Sequence, residues 1–123
     1  MYDNGKIYLG LSGEERVELP LSMCNRHGLI AGATGTGKTI TMKVLAESLS
    51  AAGVPVFLCD GERDVAGICA PGADSEDMQK RIERFALTGK FAYRGYPTTF
   101  WDIYQTGGHA GLEIVEQQSA VVR

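Results

Sequence analysis

Cysteine is scarce in this chain of 123 residues: Cys24, Cys59 and Cys69 form an odd set with no CxxC spacing. That excludes the disulfide framework of a small secreted domain and the close thiol pairs of zinc or redox sites, leaving reduced structural thiols. Long apolar runs are missing as well, with none near the roughly 20 residues that a membrane-spanning helix needs. The first six residues, Met1 to Lys6, have neither a basic n-region nor an apolar h-region, so no secretory signal is legible and a cytoplasmic location is expected. A basic excess is also absent. The formal net charge of -3 is unlike that of a self-sufficient nucleic-acid clamp, so any DNA contact is expected to be local or supplied from elsewhere. With 44% hydrophobic and 22% charged residues, the composition is that of an ordinary soluble protein, long enough for one domain and one core.

Glycine, by contrast, is plentiful, and with proline it divides the chain into short elements. Residues 6–11 place Ile7, Leu9 and Leu11 on one side, and residues 16–21 do the same with Val17, Leu19 and Leu21. Ser12-Gly13-Glu14-Glu15 lies between them, so residues 1–24 read as an N-terminal β-hairpin. Residues 27–31 read as a short buried strand entering a glycine-rich loop. Residues 38–52 follow as a helix, with Met42, Leu45, Leu49 and Ala52 at helical spacing and Gly53 at its end. Residues 54–59 form an apolar run suited to a strand covered on both faces, which completes a βαβ unit.

Asp74, with Asp77 three residues on, reads as the N-cap of a helix reaching Thr88 before Gly89. Met78, Ile82, Phe85 and Ala86 line its apolar face, and Lys80, Arg81, Glu83 and Arg84 its polar one. Residues 98–102 read as a third strand and residues 112–123 as a final helix, still apolar at Val121 and Val122. The order predicts an α/β fold with a three-layer parallel sheet, a βαβαβα core over residues 25–123. Three strands make a small sheet for that class, which suggests the front part of a larger domain or one completed by a partner chain.

The loop between the first parallel strand and its helix is Gly32-Ala33-Thr34-Gly35-Thr36-Gly37-Lys38-Thr39, a full match to G-x-x-x-x-G-K-[ST] in its required strand-loop-helix setting. Gly35 and Gly37 let the backbone curl with its N–H groups inward, and the positive end of the next helix reinforces that cradle for phosphate oxygens. Lys38 is expected to reach the β- and γ-phosphates, and the Thr39 hydroxyl to ligate magnesium bridging them. The binding set is therefore Gly32, Ala33, Thr34, Gly35, Thr36, Gly37, Lys38, Thr39 and Ile40, with ATP and Mg2+ as ligands. A chance lysine after an ordinary glycine turn is the plain alternative, and the complete eight-residue pattern disfavours it.

Turnover needs a second acid near the magnesium, a group to orient water and often an arginine. The only apolar strand ending in an acid is Val56-Phe57-Leu58-Cys59-Asp60, followed by Gly61, Glu62, Arg63 and Asp64. If it lies beside the loop's strand, Asp60 holds magnesium through water and Glu62 polarises the nucleophile, making a complete small phosphotransferase. If another strand intervenes, Asp60 is structural or coupling. His109 follows the turn Thr106-Gly107-Gly108 and reads as a cap or packing residue, while His27 stands either near the nucleotide or simply at a strand entry. Trp101, Tyr93, Tyr96 and Tyr104 read as core or edge residues. A non-catalytic nucleotide-binding or interaction module is the third reading.

The stretch Asn25-Arg26-His27-Gly28-Leu29-Ile30-Ala31 leading into residues 32–39 resembles the phosphate-loop entry of the HerA/FtsK superfamily of RecA-like ATPases. Within it the match is to bacterial HerA-like, helicase-related proteins. Leu45-Ala46-Glu47-Ser48-Leu49-Ser50 with Gly53-Val54-Pro55-Val56-Phe57 looks like that family's next helix and strand. Pro97, Phe100-Trp101-Asp102 and Gly108-His109 resemble a later segment in the same order and spacing. The resemblance implies a RecA-like P-loop NTPase core, hexameric rings, motor activity related to DNA translocation, and Walker B acids and an arginine finger in a portion beyond this chain. It departs after Asp60, where the family tends to Val-Lys-Gly-Asp and this chain has Gly61, Glu62, Arg63 and Asp64, so no lysine-dependent role carries over.

Overall fold

The computed structural model describes residues 1–60 and 64–101, and the backbone of residues 119–122. The first sheet is local and antiparallel. Strands β1 (Tyr2–Asp3), β2 (Lys6–Ser12) and β3 (Glu15–Pro20) stand in that order. Asn4 and Gly5 join β1 to β2 with φ of +46° and +77°, the pair of positive values that a two-residue type I′ turn demands. Gly13, φ +63°, opens the second two-residue turn. The expected hairpin is thus present with an extra leading strand. Its register shifts between Tyr8 and Gly10, a bulge that breaks the simple alternation. Ile7 and Tyr8 are consequently both buried, while Leu9 and Leu11 are half-buried.

Helix α1 (Lys38–Ala51) follows the glycine-rich loop. It ends as a Schellman turn around Gly53, φ +80°: the Val54 N–H reaches the Leu49 carbonyl and the Gly53 N–H that of Ser50, each at 2.9 Å. Strand β4 (Val56–Cys59) comes next, and α1 packs against both β2 and β4. Lying between two sheets, it has no exposed residue from 41 to 50, and its most buried positions are Ala46 and Ser48 rather than Leu45 and Leu49. Ala46, Leu58, Val65 and Ile68 form the core with Met42, Val56 and Tyr96 around them.

Helix α2 (Glu76–Arg84) is capped by Ser75, whose hydroxyl accepts the Met78 N–H at 3.2 Å, one residue later than the cap expected at Asp74. Asp74 instead accepts from the Ser75 N–H, the Gln79 amide and the Tyr93 hydroxyl. The helix stops well before Thr88 because Ala86 turns left-handed, φ +52°, and the Leu87 N–H returns to the Ile82 carbonyl at 2.8 Å. The Tyr8 hydroxyl donates to the Phe85 carbonyl at 3.0 Å, tying the hairpin to this helix end.

The second sheet corrects the parallel reading. Strands β5 (Thr98–Trp101) and β6 (Ser119–Val122) join β4 in the order β4-β6-β5, and both pairings are antiparallel. The expected final helix is therefore a strand at its apolar end, where β-branched Val121 and Val122 suit a ladder; residues 112–118 lie outside the described residues. With β6 between them, β4 and β5 point the same way without pairing. The strand expected at residues 27–31 does not form either: Leu29 is 90% exposed, and no backbone bond engages residues 27–32 among the described residues. A strand needs a neighbour to complete its ladder, and among the described residues none pairs with this segment. The described architecture is thus a small α/β arrangement of two antiparallel sheets and two helices, not a parallel three-layer one. No helix among the described residues is long and apolar enough to cross a membrane.

Candidate functional site

The glycine-rich loop is an exposed arc from residue 31 to 36 that runs into the start of α1. Gly35 and Gly37 take φ of +80° and +93°, a region that a side chain makes costly, so these two glycines are required by the backbone path. Gly37 occupies the N-cap position and supplies no side-chain cap, and the first turn of α1 contains no acidic residue. The first helical N–H groups therefore face outward with their positive field uncancelled.

Within the arc, Lys38 folds back over the loop and its ammonium donates to the Ala33 carbonyl at 2.8 Å. The Thr36 hydroxyl donates to the same oxygen at 2.7 Å, and the Thr41 hydroxyl to the Gly37 carbonyl at 3.2 Å. Thr39 is half-buried, and its hydroxyl has no hydrogen-bond partner among the described residues. Ile40 is about half exposed on the outer side of the first turn. A methyl group on Gly32 would intrude into the arc, 2.6 Å from the Thr36 hydroxyl oxygen. The residues present thus fit an anion: a lysine, uncapped amides and an exposed arc of backbone.

Asp60 stands apart from this arrangement in what it does. It is buried, and both carboxylate oxygens accept backbone donors, the Asp64 N–H at 3.1 Å and the Val65 N–H at 2.9 Å. That bidentate acceptance leads into the short 3-10 turn of residues 66–69; Val65, just before it, and Ile68 within it complete the core. Glu62 and His109 lie outside the described residues. His27 is exposed before the loop, Tyr93 is committed to Asp74, and Tyr96 lies against the core. The Ala33 carbonyl, on which the loop closes, was invisible in the sequence because every residue type supplies one.

Among the described residues no group of histidine, cysteine, aspartate or glutamate side chains forms a metal-holding cluster. Comparison with curated proteins and with solved structures returns no significant match. A family model does match, over residues 8–116, from the middle of β2 past β5, and so takes in the loop, α1 and the Asp60 turn together. By that match the chain belongs to the family described as helicase HerA-like C-terminal.

Proposed function

We propose that residues 32–39 bind the polyphosphate of a nucleoside triphosphate, ATP with magnesium, and that this chain is a nucleotide-binding segment of a HerA-type ATPase. One observation carries the reading: a complete G-x-x-x-x-G-K-T sequence whose two left-handed glycines deliver an uncapped helix N-terminus, in a HerA-like chain. In this reading the loop amides and Ile40 border the phosphates. Lys38 exchanges the Ala33 carbonyl for β- and γ-phosphate oxygens, and the Thr39 hydroxyl ligates magnesium. Bound magnesium supplies charge neutralisation across those oxygens. Assembly into a hexamer and DNA as a partner belong to the same proposal through family membership alone.

The alternative of a complete small phosphotransferase needs the Asp60 carboxylate free for a metal-bound water, with Glu62 beside it. Both Asp60 oxygens are already held by backbone N–H groups, which speaks for the structural role. Calorimetric titration with Mg-ATP tests the proposal. Lys38→Ala is expected to weaken binding by about 10- to 100-fold, the worth of a charge-assisted contact. Equal affinities for the two proteins overturn it.

A further inference from the structure

The loop contains a junction that its sequence pattern does not mark. Three donors converge on the Ala33 carbonyl oxygen: the Thr36 hydroxyl at 2.7 Å, the Lys38 ammonium at 2.8 Å and, longer, the Thr36 N–H at 3.4 Å. A carbonyl oxygen has two lone pairs, so the hydroxyl and the ammonium are its principal partners. Because the peptide unit is planar, fixing the direction of the Ala33 oxygen also fixes the direction of the Thr34 N–H. Residues 31–36 are all exposed, so core packing does not hold Thr36 in place; its hydroxyl bond does.

Gly32 bears on the same junction. Unlike Gly35 and Gly37 it has no positive φ, so its backbone conformation does not demand glycine. What demands it is the hydroxyl: an added Cβ would sit 2.6 Å from Thr36 Oγ1, but at ordinary distances of 3.6 Å from Thr36 Cβ and 3.8 Å from Lys38 Cγ. A threonine can rotate about χ1, so a methyl group there does not bar the loop. It turns the hydroxyl off the Ala33 oxygen.

We infer that Thr36 is a positioning residue that acts through the Ala33 carbonyl, with Gly32 as its steric complement, to place the Lys38 ammonium over the loop. The inference rests on the nucleotide reading above for what Lys38 is placed to meet. It makes Gly32→Ala and Thr36→Val the same lesion reached from two sides.

Two measurements on the full chain test it. In the first, Lys38 acylation by an amine-reactive ester is read by peptide mass against exposed Lys90 in the same molecule. Thr36→Val and Gly32→Ala should each raise relative Lys38 acylation about fivefold, as loss of one hydrogen bond's restraint predicts. The double variant should exceed neither single one, and Thr36→Ser, which keeps the hydroxyl, should return the rate to the wild-type level. In the second, Mg-ATP affinity should fall about fivefold in the same non-additive pattern. Unchanged Lys38 acylation in Thr36→Val, or additive effects in the double variant, overturns the inference. Should the acylation pattern hold across the variants while the wild-type chain binds no Mg-ATP, the nucleotide reading falls and the placement of Lys38 by Thr36 stands.

Discussion

The two sheets of this chain are both three-stranded and antiparallel, yet they are built from opposite kinds of contact. In the first, β1, β2 and β3 follow one another through two-residue turns at Asn4-Gly5 and Gly13-Glu14. In the second, β6 brings residues 119–122 between strands that begin at 56 and 98. Turn geometry sets the first pairing at almost no loop-closure cost; the second closes long loops and depends on what packs beside it. The Asp60 turn carries β4 into that second assembly through bonds that are themselves local, to the Asp64 and Val65 N–H groups, whereas the helix end beside Ala86 is reached from a distant segment by the Tyr8 hydroxyl.

The largest test of this contrast is Asp60→Ala, which leaves the Asp64 and Val65 N–H groups without their carboxylate beside the core. A loss of about 3 kcal/mol is expected from urea unfolding. An unchanged midpoint would mean that the second sheet does not lean on that turn. Gly5→Ala probes the local side: at φ +77° it should cost about 1 kcal/mol. The loss should appear as faster amide exchange in β1 and β2, with β4 unaffected.

A gain is expected from Ala86→Gly. Relief of a left-handed alanine, roughly 1–2 kcal/mol, is partly offset by the entropy of glycine, roughly 0.5–1 kcal/mol, leaving about 0.5 kcal/mol as a rise in melting temperature. No rise would mean that the Tyr8 hydroxyl bond to Phe85 holds the turn whatever residue follows it.

The smallest effect concerns Glu47 on α1, whose burial pushes its carboxyl above the usual range against the opposing pull of the Met1 ammonium, Lys43 and Arg94. The folded protein then binds more protons than the unfolded chain between the ordinary glutamate value and the raised one. Stability therefore falls as pH rises through that window and levels off above it. Glu47→Gln should flatten this fall, read as melting temperature against pH; an identical slope in both proteins would assign it to another group.

Much of the chain was legible because local chemistry decides it. The hairpin, α1 with its Gly53 stop, β4, α2 and β5 follow from periodicity, caps and turn residues. Even β1 had a signal in Asn4-Gly5, an unusually strong hairpin pair that the alternation farther on overshadowed. The G-x-x-x-x-G-K-T pattern marked the loop, but not which of its glycines serve the backbone and which serves a neighbour. Asp60 was legible as an acid after a strand; that both its oxygens face backbone donors was not.

The sequence by itself determined the hairpin turn after Ser12, helix α1 with its Gly53 stop and the start of α2, because φ preferences, capping side chains and hydrophobic spacing act over a few residues. Only the tertiary structure decided the direction of the sheet, the strand at Val121 and Val122 and the exposed course of residues 27–31. Strand pairing depends on which distant backbone supplies the ladder, and an apolar segment such as 27–31 or 119–122 suits several such partners equally well.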